Sequence, residues 1–354
     1  MSLQATIQRI TALIPGPSLA VNEVEVTGSA TFASAFDVDT AALAAAVLAN
    51  LAFGVTAIDR DRVMALFSGT VEVDGAPIPH WADLSGYYDT RDGGHIQFHC
   101  NFAHHAAGVV ARLGCEPNRE SVQRAVLQHD PYALEQRLID DGMIAAKLRT
   151  LTEWAEHSHA RATADLPLIT VERVGDAAPR DASRRLKVLD CSRVLAGPVA
   201  GLTFAAHGAD VLLVGAEHLP SVDAGVLTTG FGKRNTFTDL DTESGRADFS
   251  RLLDDTDIWI DAYRPGAFAA AQLARHQSEH GGTWLARLSL LRTRNWLVSL
   301  AEPRGFEPRL AVPSSSAMHT VATPFGDVTS ARPIGGSWPH GPLPLGSAPP
   351  FWQG

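Results

Sequence analysis

The sequence predicts an α/β protein with a doubly wound, mostly parallel sheet in its second half and an α+β first half with a small β-hairpin domain. In Lys187–Pro220 a short apolar strand, a Gly/Pro turn, a helix and a second strand follow one another. Strand–helix alternation with apolar strands is typical of a parallel sheet covered on both faces. In Gly86–Cys100, alternating apolar residues around Asp92-Gly93-Gly94 predict a β-hairpin instead.

Size and composition narrow the class of protein. The 354 residues, 45% hydrophobic and 19% charged, are enough for two globular domains. A net charge of -10 without a basic block argues against nucleic acid or an anionic membrane as partner. The three cysteines lack CxxC spacing, which indicates a reducing compartment. With no signal peptide at the N-terminus and an Ala-rich run at 41–53 too short for a bilayer, we expect a cytoplasmic, soluble protein.

The first half is predicted to be mainly helical. Asp39-Thr40 caps its first long helix and Gly54 ends it. Helices are predicted at 41–53, 61–67, 104–113, 120–127, 132–141 and 151–157, and strands at 70–73 and 166–171. The polar stretch Gly175–Arg184 contains Pro179 and is predicted to be a linker. The chain is therefore divided into residues 1–180, 185–270 and 271–354.

The second half changes to strand–helix alternation. Strands are predicted at 188–190, 211–214, 237–240 and 258–262, with helices at 198–207 and 243–253. Past Ala271 the pattern stops, and an amphipathic helix is expected at 284–300. The tail after Glu302, rich in Pro, Ser and Gly, is predicted to be extended or loop-like and to wrap a neighbour.

The turn AGPVAG, Ala196–Gly201, is the first candidate ligand site. It places Gly197 at the bend and Pro198 at the first helical position, where a missing N–H costs little. Free amides at a helix N-terminus favour phosphate oxygens. Alone, the turn is equally compatible with a strand–helix connection that binds nothing. It lacks the GxGxxG pattern, which disfavours a nicotinamide cofactor.

Two further segments carry groups suited to a phosphate ligand. Gly230–Asn235 holds adjacent cations, although a solvated basic loop is the more frequent meaning of a lone Gly-Lys-Arg. Asp261–Gly266 follows a predicted strand at the edge where open α/β sheets bind ligands. There Tyr263 could stack on a purine and Arg264 could pair with a phosphate; an ordinary surface turn is the alternative.

A run of histidines raises the question of a metal. His95, His99, His104 and His105 lie near Cys100, but neither HExxH nor CxxC accompanies them. Ordinary polar histidines are the favoured interpretation, so no metal is expected. His207, beside Gly208, is interpreted as a partner of a helix C-terminus rather than a catalytic base.

Taken together, LDCSRVLAGPVAG, HGADVLLV, GKRNTFTDL and AYRPGAFAA occur in an order that resembles the first domain of the class III CoA-transferases, the CaiB/BaiF family. The resemblance covers about Leu186–Ala270 and implies coenzyme A as the bound substrate. The residues it implies for binding CoA are Arg193, Val194, Leu195, Ala196, Lys233, Arg234, Tyr263, Arg264, Pro265 and Gly266.

The first half resembles other parts of the same family, out of order. Gly86–Phe98 is similar to the small β-domain that normally follows the sheet, and Gly142–Ala162 to the helical return after it. The resemblance therefore implies a two-half member with a partial family unit in front. Since family members form interlocked dimers, it also implies a homodimer or an internal pseudo-dimer.

The resemblance implies transfer of CoA between an acyl-CoA and a small carboxylic acid. That chemistry uses an Asp nucleophile, normally well past the Arg-Pro-Gly loop. No Asp occurs here between Asp261 and Asp327, which indicates an internal deletion after Ala270 and leaves the catalytic residue unknown. Two alternatives stay open: a non-catalytic CoA-binding pseudoenzyme or truncated remnant, and an acyl-CoA racemase or epimerase.

Overall fold

A computed structural model describes residues 2–14, 24–32, 34, 36–173, 181, 183–263, 284–299 and 313–352. The chain divides into two compact units. The first, here the sheet unit, comprises Met1–Ile78, Asp165–Leu219 and Gly225–Gly354, and the second, the hairpin unit, comprises Pro79–Ala164 and Pro220–Ala224. The break near Asp165 lies before the predicted linker, most of which falls outside the described residues. The three-part division stays a prediction.

The described helices follow the sequence pattern closely in the first half. They are α1 Leu3–Thr11, α2 Val38–Leu51, α3 Arg60–Ser68, α4 Ala103–Leu113, α5 Arg119–Val126, α6 Pro131–Asp140, α7 Leu151–Glu156, α8 Ser158–Thr163, α9 Ala196–Ala206, α10 Asp223–Thr229, α11 Glu243–Asp254 and α12 Leu290–Ser299. The six helices predicted before residue 160 are confirmed as α2 to α7, whereas α1, α8 and α10 were not predicted.

The strands are shorter than most of the helices, and they form several separate sheets. They are β1 Glu25–Thr27, β2 Ala57–Asp59, β3 Glu72–Val73, β4 Ala76–Pro77, β5 Gly86–Asp89, β6 His95–Phe98, β7 Ala145–Lys147, β8 Ile169–Arg173, β9 Lys187–Cys191, β10 Asp210–Gly215, β11 Lys233–Phe237, β12 Ile258–Asp261, β13 Trp284–Leu288, β14 Met318–Thr323 and β15 Gly326–Ala331.

Four parallel strands in the order β11-β10-β9-β12 form the principal sheet. Successive residues face opposite sides: Val188 packs with Ala205 of α9, and Leu189 packs with Phe249 of α11. Helices therefore cover both faces of the sheet, as its apolar strands require. The mixed α/β class is confirmed.

In the last part of the chain one prediction is wrong and another is incomplete. The helix expected at 284–300 begins only at Leu290, because Trp284–Leu288 form β13 and pair antiparallel with β8. The tail contains a hairpin, β14–β15, whose second strand pairs with β3. The Pro and Ser residues on either side of this hairpin obscured the alternating pattern of its strands in the sequence.

The end of the chain covers the outer edge of the principal sheet. The Ala348 amide donates to the Asn235 carbonyl of β11 at 2.7 Å, and the Trp352 indole donates to the Leu252 carbonyl of α11 at 2.9 Å. The tail thus wraps its own sheet unit and satisfies backbone groups of an edge strand that would otherwise be exposed.

The hairpin unit has a separate core. The hairpin β5–β6 is confirmed and gains a third strand, β7, on the β6 side. Buried Tyr88 and Phe98 of the sheet pack with Val109 of α4 and Leu134 of α6. One apolar cluster therefore unites the three strands with α4, α5 and α6.

Candidate functional site

The connection between β9 and α9 stands at the carboxyl end of the principal sheet. Val194 adopts a left-handed conformation with φ 71°, which is uncommon for a β-branched residue. Val194 is 59% exposed and Leu195 is 62% exposed, so two adjacent apolar residues lie at the surface. Backbone strain and exposed apolar groups at a strand end are features of a binding loop.

The helix that follows offers uncapped amides. Leu195 occupies the N-cap position and makes no side-chain capping bond to the first turn. The helix begins at Ala196, so Pro198 is the third helical residue and not, as expected, the first. The amides of Ala196 and Gly197 head an 11-residue helix and are oriented to favour an anion.

A buried charged network lies directly beneath the loop. The Lys233 ammonium group donates to Asp190 Oδ2 at 2.8 Å and to the Pro198 carbonyl at 2.6 Å. The Ser192 hydroxyl donates to the other oxygen of Asp190. The side chains of Lys233 and Asp190 are 1% and 0% exposed, so the network is closed to solvent.

Two glycines of α9 allow the helix to approach the sheet. A Cβ at Gly197 would overlap Ser192 and lie 3.3 Å from the Cβ of Ala262. A Cβ at Gly201 would lie 2.5 Å from Asp190 Oδ2 and 2.9 Å from Lys233 Nζ. The first turn of α9 is thus in close contact with the ends of β9 and β12.

The end of β12 supplies the second side of the site. The exposed Asp261 carboxylate accepts a hydrogen bond from the Tyr263 amide at 2.9 Å. Burial raises the pKa of the Tyr263 phenol, and the positive charge of Arg193 acts in the opposite direction. Arg193 therefore lies in the electrostatic vicinity of the Tyr263 ring.

The structure brings one group of predicted residues together. Arg193, Val194, Leu195, Ala196 and Tyr263 lie at the carboxyl end of the sheet, on the loops after β9 and β12. Arg264, Pro265 and Gly266, predicted for the same site, fall outside the described residues.

Lys233 and Arg234 are placed differently from expectation. They open β11 in register with Val211 and Leu212, toward the amino ends of the strands, because the strand starts four residues earlier than predicted. Lys233 is buried in the network with Asp190, so it does not face a ligand. Arg234 forms a two-oxygen ion pair with Asp210 at 2.9 and 3.0 Å and lies over the Trp352 ring.

The sequence reasoning missed Asp190 and Ser192. A signal was present, because Asp190 is an acidic residue between the apolar Leu189 and Cys191 in the strand KVLDC. A buried carboxylate requires a paired cation or several donors, and the only lysine among the strands of this sheet other than Lys187 is Lys233. The acidic residue indicates a buried partner, but the pairing could not be identified from the sequence, because Lys233 lies before the predicted strand at 237–240.

The histidines show ordinary protein contacts. His95 Nδ1 lies 3.0 Å from Asp89 Oδ1, and the His99 ring packs edge-on against Trp81. Within the described ranges, no three His, Cys, Asp or Glu side chains are grouped so that they could hold a metal ion. His207, at the end of α9, stacks on Phe53 and lies 2.9 Å from Asn50 Oδ1.

The cysteines near the core are protected thiols. Burial raises the pKa of Cys191 well above its ordinary value and that of Cys100 to about 11. Because the thiolate is the reactive form, neither is suited to nucleophilic attack near neutral pH.

Fold and loop geometry together define an α/β protein with a candidate ligand site at the carboxyl edge of a parallel sheet. The groups gathered there are a guanidinium, uncapped helix amides, two exposed apolar side chains and a tyrosine ring. They suit a ligand that combines phosphates, an apolar arm and a flat base.

Comparison with known proteins finds similarity in the segment that carries the principal sheet. The sequence model of CoA-transferase family III matches residues 184–280. The acetyl-coenzyme A transferase nodX of Hypoxylon pulicicidum is 33% identical over 90 residues, 25% of this chain and 15% of that protein. An acyl-CoA transferase of Gibberella moniliformis is 23% identical over 208 residues, 51% of this chain and 36% of that protein. The matched part of the chain thus spans well under half the length of either relative.

Solved structures with similar segments include two bacterial proteins. A hypothetical protein from Mycobacterium tuberculosis shares 30% identity at a TM-score of 0.25, covering 30% of this chain and 32% of its own. A CAIB/BAIF family protein from Brucella suis shares 28% identity at a TM-score of 0.22, covering 28% of this chain and 29% of its own.

Among the described residues, no helix is both long enough and apolar enough to cross a membrane.

Proposed function

We propose that the chain binds coenzyme A and its thioesters at the carboxyl edge of the principal sheet. The observation that supports this most strongly is the family match at residues 184–280, which includes Arg193, the exposed residues Val194–Ala196 and Tyr263. The site has the types of group that such a ligand needs, and they lie on neighbouring strands β9 and β12.

Each side chain has a role that follows from its chemistry. Arg193 and the first-turn amides of α9 bind phosphate oxygens, the former through a charge-assisted fork. Val194 and Leu195 pack against the apolar pantetheine arm. Tyr263 stacks on the adenine ring. Arg264, Pro265 and Gly266 continue this loop and remain proposed contacts.

The proposed reaction is transfer of CoA from an acyl-CoA to a small carboxylic acid. Such a transfer needs a free carboxylate to attack the thioester carbonyl. Asp190 is buried and paired with Lys233, so it is not that group. The exposed carboxylate at the site is that of Asp261, which accepts a hydrogen bond from the Tyr263 amide. No Asp occurs at positions 262–326. We assign no catalytic residue, and this gap favours a second candidate, a CoA-binding protein without turnover.

Calorimetry and a turnover assay separate these candidates. Wild-type protein is titrated with CoA and then supplied with acetyl-CoA and a panel of short and branched acids. Binding with exchange of CoA supports the transferase, and binding without exchange supports the non-catalytic protein. No heat of binding at millimolar CoA would contradict the proposed function altogether.

A pair of arginine variants tests where CoA binds. Arg193→Gln removes a charge-assisted hydrogen bond to phosphate and should raise the Kd for CoA by about tenfold or more. Arg185→Gln is the matched control, because Arg185 donates to the Gly208 and Ala209 carbonyls near the amino ends of the strands. Equal affinities in the two variants would contradict a role for Arg193.

The proposed assembly follows from the same family relation. A homodimer, or an internal pseudo-dimer of a two-half chain, remains the proposed state of association. Sedimentation equilibrium distinguishes them, since a homodimer has twice the mass of the 37.7 kDa chain.

A further inference from the structure

We infer that Asp190, Ser192 and Lys233 are positioning residues that hold the CoA loop in its binding conformation, a role that rests on the proposed function. The loop comprises Ser192–Leu195, between β9 and α9. None of the three side chains is placed to contact the ligand, since all are buried. They act through the backbone of the loop.

The loop needs external support to keep its shape. Val194 holds a left-handed backbone that disfavours a β-branched side chain, and such conformations persist only where the surroundings impose them. The side chains of Val194 and Leu195 project outward and contribute little packing of their own. Leu195 provides no side-chain cap that would fix the start of α9.

The buried network connects the two ends of the loop. At the start, the Ser192 hydroxyl donates to the Asp190 carboxylate. Past the end, the Pro198 carbonyl accepts a hydrogen bond from Lys233 Nζ at 2.6 Å. The ion pair between Asp190 and Lys233, at 2.8 Å, joins these two bonds. Fixing both ends leaves the intervening residues few conformations.

The network is also rigidly placed. Lys233 comes from β11, two strands away from β9 in the sheet, so the bridge spans three strands. Gly201 of α9 packs so closely above the pair that a side chain there would overlap its charged atoms. Shielded from water, these hydrogen bonds are electrostatically stronger than exposed ones and are little affected by salt.

If the network only stabilised the fold and did not position the loop, its loss would have a different effect from the one we expect. Removing one partner of any buried ion pair destabilises the folded state, because the other charge is left unpaired. The pair between Arg234 and Asp210 in the same sheet is a suitable comparison. That pair lies toward the amino ends of β10 and β11, away from the loop. Loss of either pair should lower the Tm, whereas only loss of the Asp190 network should weaken CoA binding in the folded protein.

The experiment measures Tm and the Kd for CoA in four proteins. Ser192→Ala, the mildest variant, keeps the ion pair and should raise the Kd by about tenfold with a small change in Tm. Asp190→Asn combined with Lys233→Met removes both charges together, which avoids a lone buried charge. Asp210→Asn, the matched control, should lower the Tm and leave the Kd unchanged. Unchanged Kd in both Ser192→Ala and the double variant would overturn the inference.

Hydrogen exchange of the free protein keeps this test separate from the proposed function. Peptides covering 192–199 should exchange faster in Ser192→Ala than in the wild type, and at the wild-type rate in Asp210→Asn. If the wild type fails to bind CoA but shows this difference, the proposed function fails and the loop support stands. If exchange of 192–199 is the same in all the proteins, the inference fails whatever the ligand.

Discussion

Asp190 illustrates how much a single residue decides in this chain. It stands in an apolar strand, is fully buried, and accepts hydrogen bonds from Ser192 and Lys233. The sequence pattern could locate the strand, because apolar neighbours flank the aspartate. It could not show that Lys233 turns inward, since a solvated loop is the more frequent meaning of a lone Gly-Lys-Arg run. Lys233 lies in the sheet because β11 begins at this residue.

The cysteines give a prediction at the same scale. With a disulfide-exchange reagent at about pH 8, the folded protein should react first at Cys115, the half-buried thiol. Cys100 and Cys191 should react only on unfolding, because burial raises the pKa of both and limits access. Mass spectrometry of the labelled peptides identifies the sites. Rapid labelling of Cys191 in the native protein would contradict the buried β9.

Among the elements, α9 is the one whose sequence was most informative. Its Gly/Pro turn, apolar body and terminal Gly208 predicted a helix, and Ala196–Ala206 confirms it. Its contact partners were not predictable, because hydrophobic periodicity reports a buried face without saying what lies against it. The same limit explains β13, whose strand state depends on pairing with β8, more than a hundred residues earlier.

Gly201→Ala tests the close packing of α9. Helix propensity alone predicts that Ala should stabilise by about 1 kcal/mol. Here the added Cβ would lie 2.5 Å from Asp190 Oδ2, so we expect a loss of about 3 kcal/mol in the free energy of unfolding. Denaturant unfolding measures it. Ala200→Gly, one residue away, is the control and should cost about 1 kcal/mol. A stabilised Gly201→Ala would contradict the packing.

At the scale of the whole molecule, residues distant in sequence share one compact unit. The Asn50 side chain of α2 meets His207 at the end of α9, and β15 pairs with β3. Local patterns predicted α2 to α7, α9, α11 and the strands β9, β10 and β12, since those depend on neighbouring residues. They could not give these joins, which depend on long-range pairing. The descent of the chain from two family units remains a prediction.

The contact of His207 with α2 should make stability depend on pH. Burial lowers the pKa of His207, so the neutral form is favoured in the folded state. Its contribution is present above the unfolded pKa and is lost as the pH falls through that value toward the folded one. His207→Gln should therefore show a smaller fall in Tm between about pH 7.5 and 5.5 than the wild type.

Burial also lowers the pKa of His319. Part of the pH dependence of the Tm should therefore remain in His207→Gln. His218→Gln, at an exposed position, is the control and should keep the wild-type slope. A His207→Gln curve parallel to that of the wild type would show that this contact does not carry the effect.

The central claim is that coenzyme A binds at the carboxyl edge of the principal sheet. Hydrogen exchange with and without saturating CoA tests it most directly, because it reports both binding and location. We predict slower exchange in peptides covering 192–199 and 258–263, and unchanged exchange in 343–352 beside the amino end of β11. No change with CoA, or protection confined to peptides away from the loops after β9 and β12, would contradict the claim.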